Sequence, residues 1–345
     1  MDFDFIRYAN SIFQKKQIKL YLIDDCEDIW EQTFSNIHFQ STQYIKEMVN
    51  YQGHYFNEKF HDIIEQSVVI FSNNAPIAIW PLTISKTDTN SAYQFNSHGG
   101  AILPPLFVKT YPLRASNRLM HSLYKLLLEF GAKNFFGTPL FSDIFTGTIG
   151  VNEWYAQVIA ESKECITNYV QYIHIEKGME FINLNIRKAY KPLISDAQKR
   201  FETTFVTADN SEDFFIYKNL HAEVSGRKTR GENTWKTQQN MIKNNRGFCV
   251  LISYKSEFSG AAFFLESADE ASYFSGAYRK NKVSESLGHL ALYSAINYAL
   301  KKNIKWFRLG KLRINQEKKI SDIDFFKNGF ASHVITENQI GIIQE

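Results

Sequence analysis

Alternating and recurring hydrophobic positions along the chain predict one series of strands and helices that occurs twice. Apolar residues at every second position indicate strands, and apolar residues three or four apart indicate helices. The polar segment Ser72–Pro76 between two apolar runs has a turn composition and predicts a β-hairpin. The elements predicted for the first half are strand Ile18–Ile23, helices Cys26–Ile37 and Thr42–Tyr51, hairpin strands Ser67–Phe71 and Ile77–Ile84, strand Ala92–Asn96, helix Ala115–Phe130, strand Asn134–Phe136, helix Asn152–Glu161 and strand Tyr169–Ile175.

The second half repeats this order about 170 to 180 residues later, as tandem copies of one unit would. Ser211 is predicted to be a helix N-cap because Glu212 and Asp213 follow it in the first turn. The elements predicted for this half are strand Phe201–Val206, helices Ser211–Val224 and Glu232–Lys243, hairpin strands Phe248–Ser253 and Gly260–Glu266, strand Ala271–Tyr278, helix Ser286–Lys301, strand Lys305–Leu309, helix Asp322–Lys327 and strand Ser332–Thr336.

The chain is long enough for two domains of this kind. Its 345 residues compare with roughly 100 to 200 for one domain, and 44% hydrophobic residues allow each domain a buried core. We therefore expect an α/β fold of the α+β type, in which each of two tandem domains is a mixed, mostly antiparallel sheet flanked by helices. The predicted domains are residues 1–180 and 181–345.

Composition and charge limit the cellular setting. A formal net charge of +3 does not by itself indicate binding to nucleic acid or to an anionic membrane. Cys26, Cys165 and Cys249 are far apart and lack the spacing of a disulfide framework or a zinc site, which fits a reducing compartment. The first residues lack the basic and apolar regions of a signal peptide, and no apolar run has the length of a membrane span. We expect a cytoplasmic protein with no metal, no membrane span and no DNA partner.

The middle of the chain is locally basic. Between Lys177 and Lys255 there are 14 Lys or Arg and 8 Asp or Glu residues, a surplus of six. Within Asn185–Arg200, five cations stand against the single acid Asp196. This segment is either a solvated connecting helix or an element that faces an anion.

Several strings in the second half are similar to one family. They are HAEVSGRKTRGENTWKTQQNMI at 221–242, ASYFSGAYR at 271–279, SLGHLALYSAINYALKKN at 286–303 with IKWFRLGK at 304–311, and DFFKNGF at 324–330. Together with the order of elements, they resemble the GNAT acyltransferases, and the tandem arrangement resembles the FemABX-like peptidyltransferases. The resemblance covers most of the chain. It implies transfer of an acyl or aminoacyl group to an amine, in a cleft at the splayed middle strands of the second domain.

Aminolysis of an activated acyl group defines what such a site must contain. The amine must be unprotonated and held against the carbonyl, a donor must stabilise the oxyanion, and an acid must protonate the leaving group. In the predicted strand, regular alternation places Tyr273 and Ser275 on one face and Gly276 with Tyr278 on the other. Gly276 either allows close approach to a ligand or marks a bulge. By resemblance Tyr278 is the acid; alternatively it only packs at the end of the strand.

The loop after this strand is where a GNAT enzyme seats the pyrophosphate of coenzyme A on helix N–H groups. Here the sequence RKNKVSESLGHL retains only Gly288 of the usual glycine motif, with Arg279 and Lys282 nearby. The resemblance therefore implies no tightly bound cofactor and leaves two co-substrates open, acyl-CoA and aminoacyl-tRNA. Glu285 is either a general base or an acid that complements the helix dipole. His289, in the first turn of that helix, is either a base or a packed residue.

A polar and basic turn before Trp235 suits a phosphate, a carboxylate or a sugar, although a solvated charge run has the same composition. Lys327 corresponds by motif to the family's lysine near the acyl-transfer centre; alternatively it is a last-turn lysine before Gly329. The candidate catalytic residues are Tyr278, Lys327 and Glu285; the substrate-binding residues are His221, Ser225, Arg227, Arg230, Trp235, Tyr273, Ser275 and Gly276; and the donor-binding residues are Arg279, Lys282 and Gly288.

These residues favour an acyltransferase that acts on an amine of a cell-envelope or surface-glycan precursor, a small molecule, glycan or peptide. The peptidoglycan-bridge members carry a coiled-coil arm, but this sequence has no sustained heptad repeat that would predict one. Its absence from the sequence pattern favours the smaller relatives. Two alternatives remain: a tRNA-dependent aminoacyl ligase of the peptidoglycan type, and a non-catalytic binding module for a phosphorylated metabolite. In the first domain, His98 within SHGGAILPP is a catalytic candidate or a structural residue.

Overall fold

The computed structural model describes residues 4–57, 60–135, 139–147, 158–160, 162–279, 286–313 and 318–341. The chain forms two compact units. Unit 1 contains Met1–Thr167 and Glu337–Glu345, and unit 2 contains Asn168–Thr336. The predicted boundary at residue 180 lies further along the chain than this division, and the sequence does not reveal that residues 337–341 belong to the first unit.

Unit 1 contains four elements that the hydrophobic pattern did not predict, the helix Phe5–Phe13 and the strands Asp62–Glu65, Leu106–Phe107 and Leu140–Ser142. The predicted strand Asn134–Phe136 is not found, because Asn134 is the last residue of the helix Leu113–Asn134 and Phe136 lies outside the described residues. Most of the predicted helix Asn152–Glu161 also lies outside them. The elements of unit 1 are α1 (Phe5–Phe13), β1 (Ile18–Leu22), α2 (Glu27–Ser35), α3 (Lys46–Asn57), β2 (Asp62–Glu65), β3 (Val68–Ser72), β4 (Ala75–Trp80), β5 (Thr83–Lys86), β6 (Gln94–Asn96), β7 (Leu106–Phe107), α4 (Leu113–Asn134) and β8 (Leu140–Ser142).

Seven strands of unit 1 form two antiparallel sheets, β1-β3-β4-β7 and β2-β5-β6. The eighth strand, β8, pairs antiparallel with Gln339–Gly341. The single strand predicted over Ile77–Ile84 is divided between the two sheets, since β4 ends at Trp80 and β5 begins at Thr83. Pro81 lies at the break and has no amide hydrogen to donate to a ladder. The apolar core of this unit includes α1 and α4, with Phe5 and Leu127 fully buried.

Unit 2 follows the predicted order closely. The predicted N-cap at Ser211 is wrong, because a capping box of Thr207 and Asn210 starts a short 3₁₀ helix, Ala208–Asp213, before the helix Phe214–Ser225. The helix Gly178–Asn185 was not predicted. Strands β9 and β15 begin or end beyond the division between the units. The elements are β9 (Glu164–His174), α5 (Gly178–Asn185), α6 (Tyr190–Arg200), β10 (Glu202–Val206), α7 (Phe214–Ser225), α8 (Glu232–Lys243), β11 (Gly247–Tyr254), β12 (Glu257–Glu266), β13 (Glu270–Tyr278), α9 (Leu287–Lys301), β14 (Trp306–Leu312), α10 (Lys318–Asn328) and β15 (His333–Gly341).

A central sheet with the order β10-β11-β12-β13-β14-β9 organises unit 2. Its neighbours are antiparallel except for β13 and β14, which are parallel. Ala291, Ala295 and Ala299 recur every four residues along α9 and are fully buried. Their small side chains allow the helix to pack closely against the sheet, in the core that also contains Phe264 and Phe307.

The parallel strands β13 and β14 separate after a short contact. Their pairing covers Glu270–Ser272 and Trp306–Arg308 in the part of the chain that the structure describes. Beyond it, β13 continues along β12 as far as Tyr278, while β14 continues along β9 as far as Leu312. The middle of the sheet is therefore splayed, and the facing edges of the two strands no longer bond to each other.

Candidate active site

A β-bulge in β13 sets the directions of the candidate side chains. Tyr273 pairs with Phe264 and Ser275 pairs with Phe263, so that Phe274 is the additional residue. Cross-strand partners share a face, and consecutive residues of β12 face opposite sides. The prediction that Tyr273 and Ser275 share a face is therefore wrong, because it assumed regular alternation. The bulge divides the candidate residues between two faces of the sheet.

Tyr273, Gly276 and Tyr278 lie on one face. The hydroxyl oxygens of the two tyrosines are 3.5 Å apart. A Cβ atom on Gly276 would lie 2.5 Å from the Tyr273 hydroxyl and 2.7 Å from the Tyr278 hydroxyl. Because Gly276 pairs normally with Ala262, the bulge does not explain the glycine. The glycine instead allows the two tyrosine hydroxyls to lie close to the backbone at this position.

Glycines also surround the ring of Tyr278. A Cβ atom on Gly260 would lie 2.9 Å from Cδ1 of this ring, and one on Gly288 would lie 3.6 Å from Cε2. Burial raises the pKa of Tyr273 above its usual value. Burial and the adjacent Tyr273 raise the pKa of Tyr278 well above its usual value. Both phenols are therefore protonated at neutral pH, and either can donate a proton.

Lys327 extends toward this face from α10. Its Nζ is 5.2 Å from the centre of the Tyr273 ring, and a Cβ atom on Gly310 of β14 would lie 3.4 Å from it. The φ of Gly310 is +103°, a conformation that favours glycine. Burial lowers the pKa of Lys327, although the nearby Asp324 opposes this shift. A cation therefore lies beside the backbone where β14 departs from β13.

Asp324 and Arg313 fix α10 to the end of β14. Nε and Nη2 of Arg313 donate to the two carboxylate oxygens of Asp324 at 3.0 and 2.7 Å, and the Arg313 amide donates at 2.8 Å. Burial alone would raise the pKa of Asp324, but the hydrogen bonds from Arg313 lower it below the usual value. Sequence analysis did not identify this pair, because its members lie on different elements and match no motif.

The opposite face of β13 holds a polar cluster. The hydroxyl of Tyr217, a fully buried residue of α7, lies 2.5 Å from Oγ of Ser275. Nη2 of Arg230 donates to the same Ser275 oxygen at 3.4 Å. The guanidinium carbon of Arg230 lies 4.8 Å from the centre of the Trp235 ring, a cation–π arrangement. Tyr217 was missed in the sequence because a tyrosine in a helix is not distinctive.

His221 holds Arg230 in place. Nη1 of Arg230 donates to His221 Nε2 at 3.0 Å, so the imidazole proton must lie on Nδ1, which is 3.2 Å from Oγ1 of Thr229. Burial and the adjacent Arg230 lower the pKa of His221 to about 4. The imidazole is therefore neutral at pH 7, and its accepting nitrogen is already used. This geometry favours a positioning role over that of a general base.

Several other predicted residues are not gathered at β13. The Ser225 hydroxyl donates to the His221 carbonyl at 2.7 Å and helps to end α7. Arg227 is exposed in the following turn. Arg279 makes a bidentate ion pair with Glu223, at 2.7 and 2.8 Å. The predicted Lys282 and Glu285 lie outside the described residues.

His289 is in the first turn of α9. Its ring is 4.4 Å from that of Tyr190 and 5.0 Å from that of Phe326, edge to face in both cases. Burial and Arg187 lower its pKa to about 4. The structure thus favours the packed role of His289 that the sequence left open. In unit 1, His98 is buried with Nε2 3.0 Å from Oε2 of Glu65.

The fold and the splayed strands define two GNAT-like units in tandem. The chain is similar over 93% of its length to 96% of FemX, with a TM-score of 0.68 and 9% identity. It is similar to L-PGS from Bacillus licheniformis, with a TM-score of 0.58, 9% identity and coverage of 93% of this chain and 92% of that one. A tandem GNAT protein from the clavulanic acid biosynthesis pathway gives a TM-score of 0.50, 9% identity, and coverage of 95% and 99%.

The chain therefore has the tandem-GNAT fold found in FemX, and the fold class and FemABX-like architecture expected from the sequence are confirmed. No protein-family model and no curated protein matches it. The described residues contain no group of three His, Cys, Asp or Glu side chains that could hold a metal ion. Among the same residues, no helix has the length and apolar character required to cross a bilayer.

Proposed function

We propose that this protein is an acyltransferase that moves an acyl or aminoacyl group from an activated donor to an amine. The observation that carries the proposal is the set of groups at the splayed edge of β13, where Lys327 and the hydroxyls of Tyr273 and Tyr278 converge beside Gly276. The donor carbonyl would lie in the gap between β13 and β14. There the backbone N–H groups on the facing edges of the two strands would donate hydrogen bonds to it.

The reaction needs no covalent enzyme intermediate. The acceptor nitrogen attacks the carbonyl carbon and forms the C–N bond, while the ammonium of Lys327 stabilises the negative charge on the carbonyl oxygen. As the bond to the leaving sulfur or oxygen breaks, Tyr278 donates its proton to that atom. The proton released from the nitrogen then restores the Tyr278 phenol. Tyr278 begins the reaction protonated, because its pKa lies above the usual value of a phenol.

The polar cluster on the other face of β13 is proposed to bind the acceptor. His221 and Trp235 hold the guanidinium group of Arg230, and its Nη2 donates to the hydroxyl of Ser275. A fixed guanidinium next to an aromatic ring suits an acceptor that carries a carboxylate or a phosphate. An amino sugar, a sugar nucleotide or a peptide precursor of the cell envelope has this chemistry. Arg279, Lys282 and Gly288 are the proposed donor-binding residues, Glu285 is retained as a candidate base, and Ser225 and Arg227 as acceptor contacts.

Incubation of the purified protein with acyl-CoA and charged-tRNA pools and a panel of such amines tests the proposal, with the acylated product identified by mass spectrometry. Ribonuclease treatment separates the two donor classes, because only a tRNA donor is destroyed. We expect Lys327→Ala and Tyr278→Phe each to lower turnover at least about tenfold, since each removes a contact to charge that develops in the transition state.

Matched substitutions control for general damage to the helix or the core. Lys301→Ala removes an exposed last-turn lysine from α9, and Tyr293→Phe removes a tyrosine hydroxyl from the same helix. Both variants should retain turnover. Full activity of Lys327→Ala and Tyr278→Phe would overturn the site assignment. Ligand binding without turnover of any donor would instead favour a binding module.

A further inference from the structure

Two large apolar side chains of unit 2 are unusually exposed. Leu184, in the last turn of α5, is 75% exposed, and Phe325 of α10 is 61% exposed. The neighbours of Leu184 along the chain, Ile182 and Ile186, are buried, so the helix directs those side chains into the core and Leu184 away from it. Neither exposed side chain contributes to the candidate active site.

Arg187 connects these two positions. Its guanidinium carbon lies 3.7 Å from the centre of the Phe325 ring, and its amide donates to the Gly329 carbonyl at 2.8 Å. The end of α5 is thereby held against the end of α10. Since Leu184 is three residues before Arg187, their Cα atoms are at most about 10–11 Å apart. We call Leu184, Arg187, Lys188, Lys191 and Phe325 the Arg187 patch.

The three cations of this patch outnumber two exposed acids, Glu180 and Asp322, which lie one helical turn before Leu184 and Phe325. Residues 184–191 contain Arg187, Lys188 and Lys191 and no acid, and both lysines are exposed. The basic segment that the sequence left open, as a solvated helix or an anion-facing element, is thus placed beside exposed apolar groups. A single exposed Leu would be ordinary, but two exposed apolar side chains beside three cations form a patch of the kind found at interaction sites. A surface for RNA alone gains little from an aliphatic side chain that cannot stack.

From this combination we infer that the Arg187 patch docks reversibly on an anionic lipid surface. Leu184 and Phe325 would enter the boundary between headgroups and acyl chains, and the three cations would contact lipid phosphates. The inference is independent of the proposed acyl transfer, because no residue of the patch takes part in that chemistry. Binding of this kind weakens as salt is added, since ions screen the electrostatic contribution.

Sedimentation with vesicles tests the inference on the full chain. Vesicles of phosphatidylcholine mixed with phosphatidylglycerol should bind the protein at low salt, and pure phosphatidylcholine vesicles should bind it much less. Leu184→Ser should reduce the vesicle partition coefficient at least about tenfold, because several buried carbons are lost. Lys188→Gln should reduce it about fivefold on the anionic vesicles alone.

Leu113→Ser is the matched control, because Leu113 is 66% exposed on α4 of unit 1 and should have no effect on binding. Thermal unfolding establishes that each variant is folded, and Phe325→Leu, which keeps an apolar side chain, should retain binding. Failure of the native protein to bind anionic vesicles would overturn the inference. Equal losses of vesicle binding in Leu184→Ser and Leu113→Ser would also overturn it. So would a protein that binds tRNA and not vesicles, if Lys188→Gln weakens the tRNA binding.

Discussion

Gly276 is the residue on which the geometry of the candidate site depends most directly. The sequence indicated close approach to a ligand or a bulge, and the structure shows close approach, but to two tyrosine side chains. The direction of Tyr273 was not predictable, because it depends on the extra residue Phe274, which carries no glycine or proline signal. Local pattern placed these candidate residues on one strand and assigned one of them to the wrong face.

Substitution of Gly276 by Ala should separate the two tyrosine hydroxyls. The new Cβ would overlap both oxygens, so at least one side chain must move at a cost of about 1–3 kcal/mol. We expect turnover to fall at least about tenfold, measured beside the free energy of unfolding. Gly53→Ala is the control, since its Cβ meets nothing within 4 Å on α3. Wild-type turnover in Gly276→Ala would show that the paired hydroxyls do not matter.

Glu266 predicts a pH dependence of stability. Burial raises its pKa to about 7, although Lys302, Tyr298 and Arg246 oppose the shift. The folded protein thus holds this proton more tightly than the unfolded chain, so the stabilisation is complete below the unfolded pKa and is lost as pH rises through about 7. The loss is on the order of 2–3 kcal/mol between acidic and mildly alkaline solution.

Glu266→Gln should remove this part of the pH dependence. The variant is expected to be more stable than the native protein at mildly alkaline pH and to differ less from it in acid, as chemical denaturation at both values would measure. Glu257→Gln, on the exposed start of the same strand, is the control and should leave the pH profile unchanged. A profile unchanged by Glu266→Gln would show that another group titrates.

At the scale of elements, the position of α10 depends on its attachment to β14. Asp324 accepts hydrogen bonds from the amide and side chain of Arg313, and Lys327 follows one helical turn later. The sequence predicted the helix and Lys327 from motif and pattern. It did not predict the attachment, since a contact between residues of separate elements leaves no periodic signal.

Removal of the Asp324 charge should disturb both stability and the site. Asp324→Asn leaves Arg313 without its anionic partner and removes a group that supports the charged form of Lys327. We expect a loss of about 1–3 kcal/mol in the free energy of unfolding and a lower apparent pKa in the pH profile of turnover. Asp322→Asn, at an exposed position of the same helix, should change neither. An unshifted pH profile would show that Lys327 is independent of Asp324.

For the whole molecule, the repeated order of elements was sufficient to predict the fold class. The hairpins and the central helices repeat strongly because buried apolar runs bounded by turn residues are local signals. The interruption at Pro81 and the two separate sheets of unit 1 were not predicted, since strand pairing is set by distant partners. Splaying of β13 from β14 was expected from resemblance alone, and periodicity contains no equivalent information.

The return of residues 337–341 to unit 1 has a consequence for biosynthesis. Gln339–Gly341 pair with β8, and Ile340 is fully buried in the apolar core of unit 1, which also contains Phe5 of α1. A nascent chain that has emerged only as far as Thr336 therefore lacks a strand that its earlier half requires. Unit 1 can therefore acquire its last strand only after unit 2 has been translated.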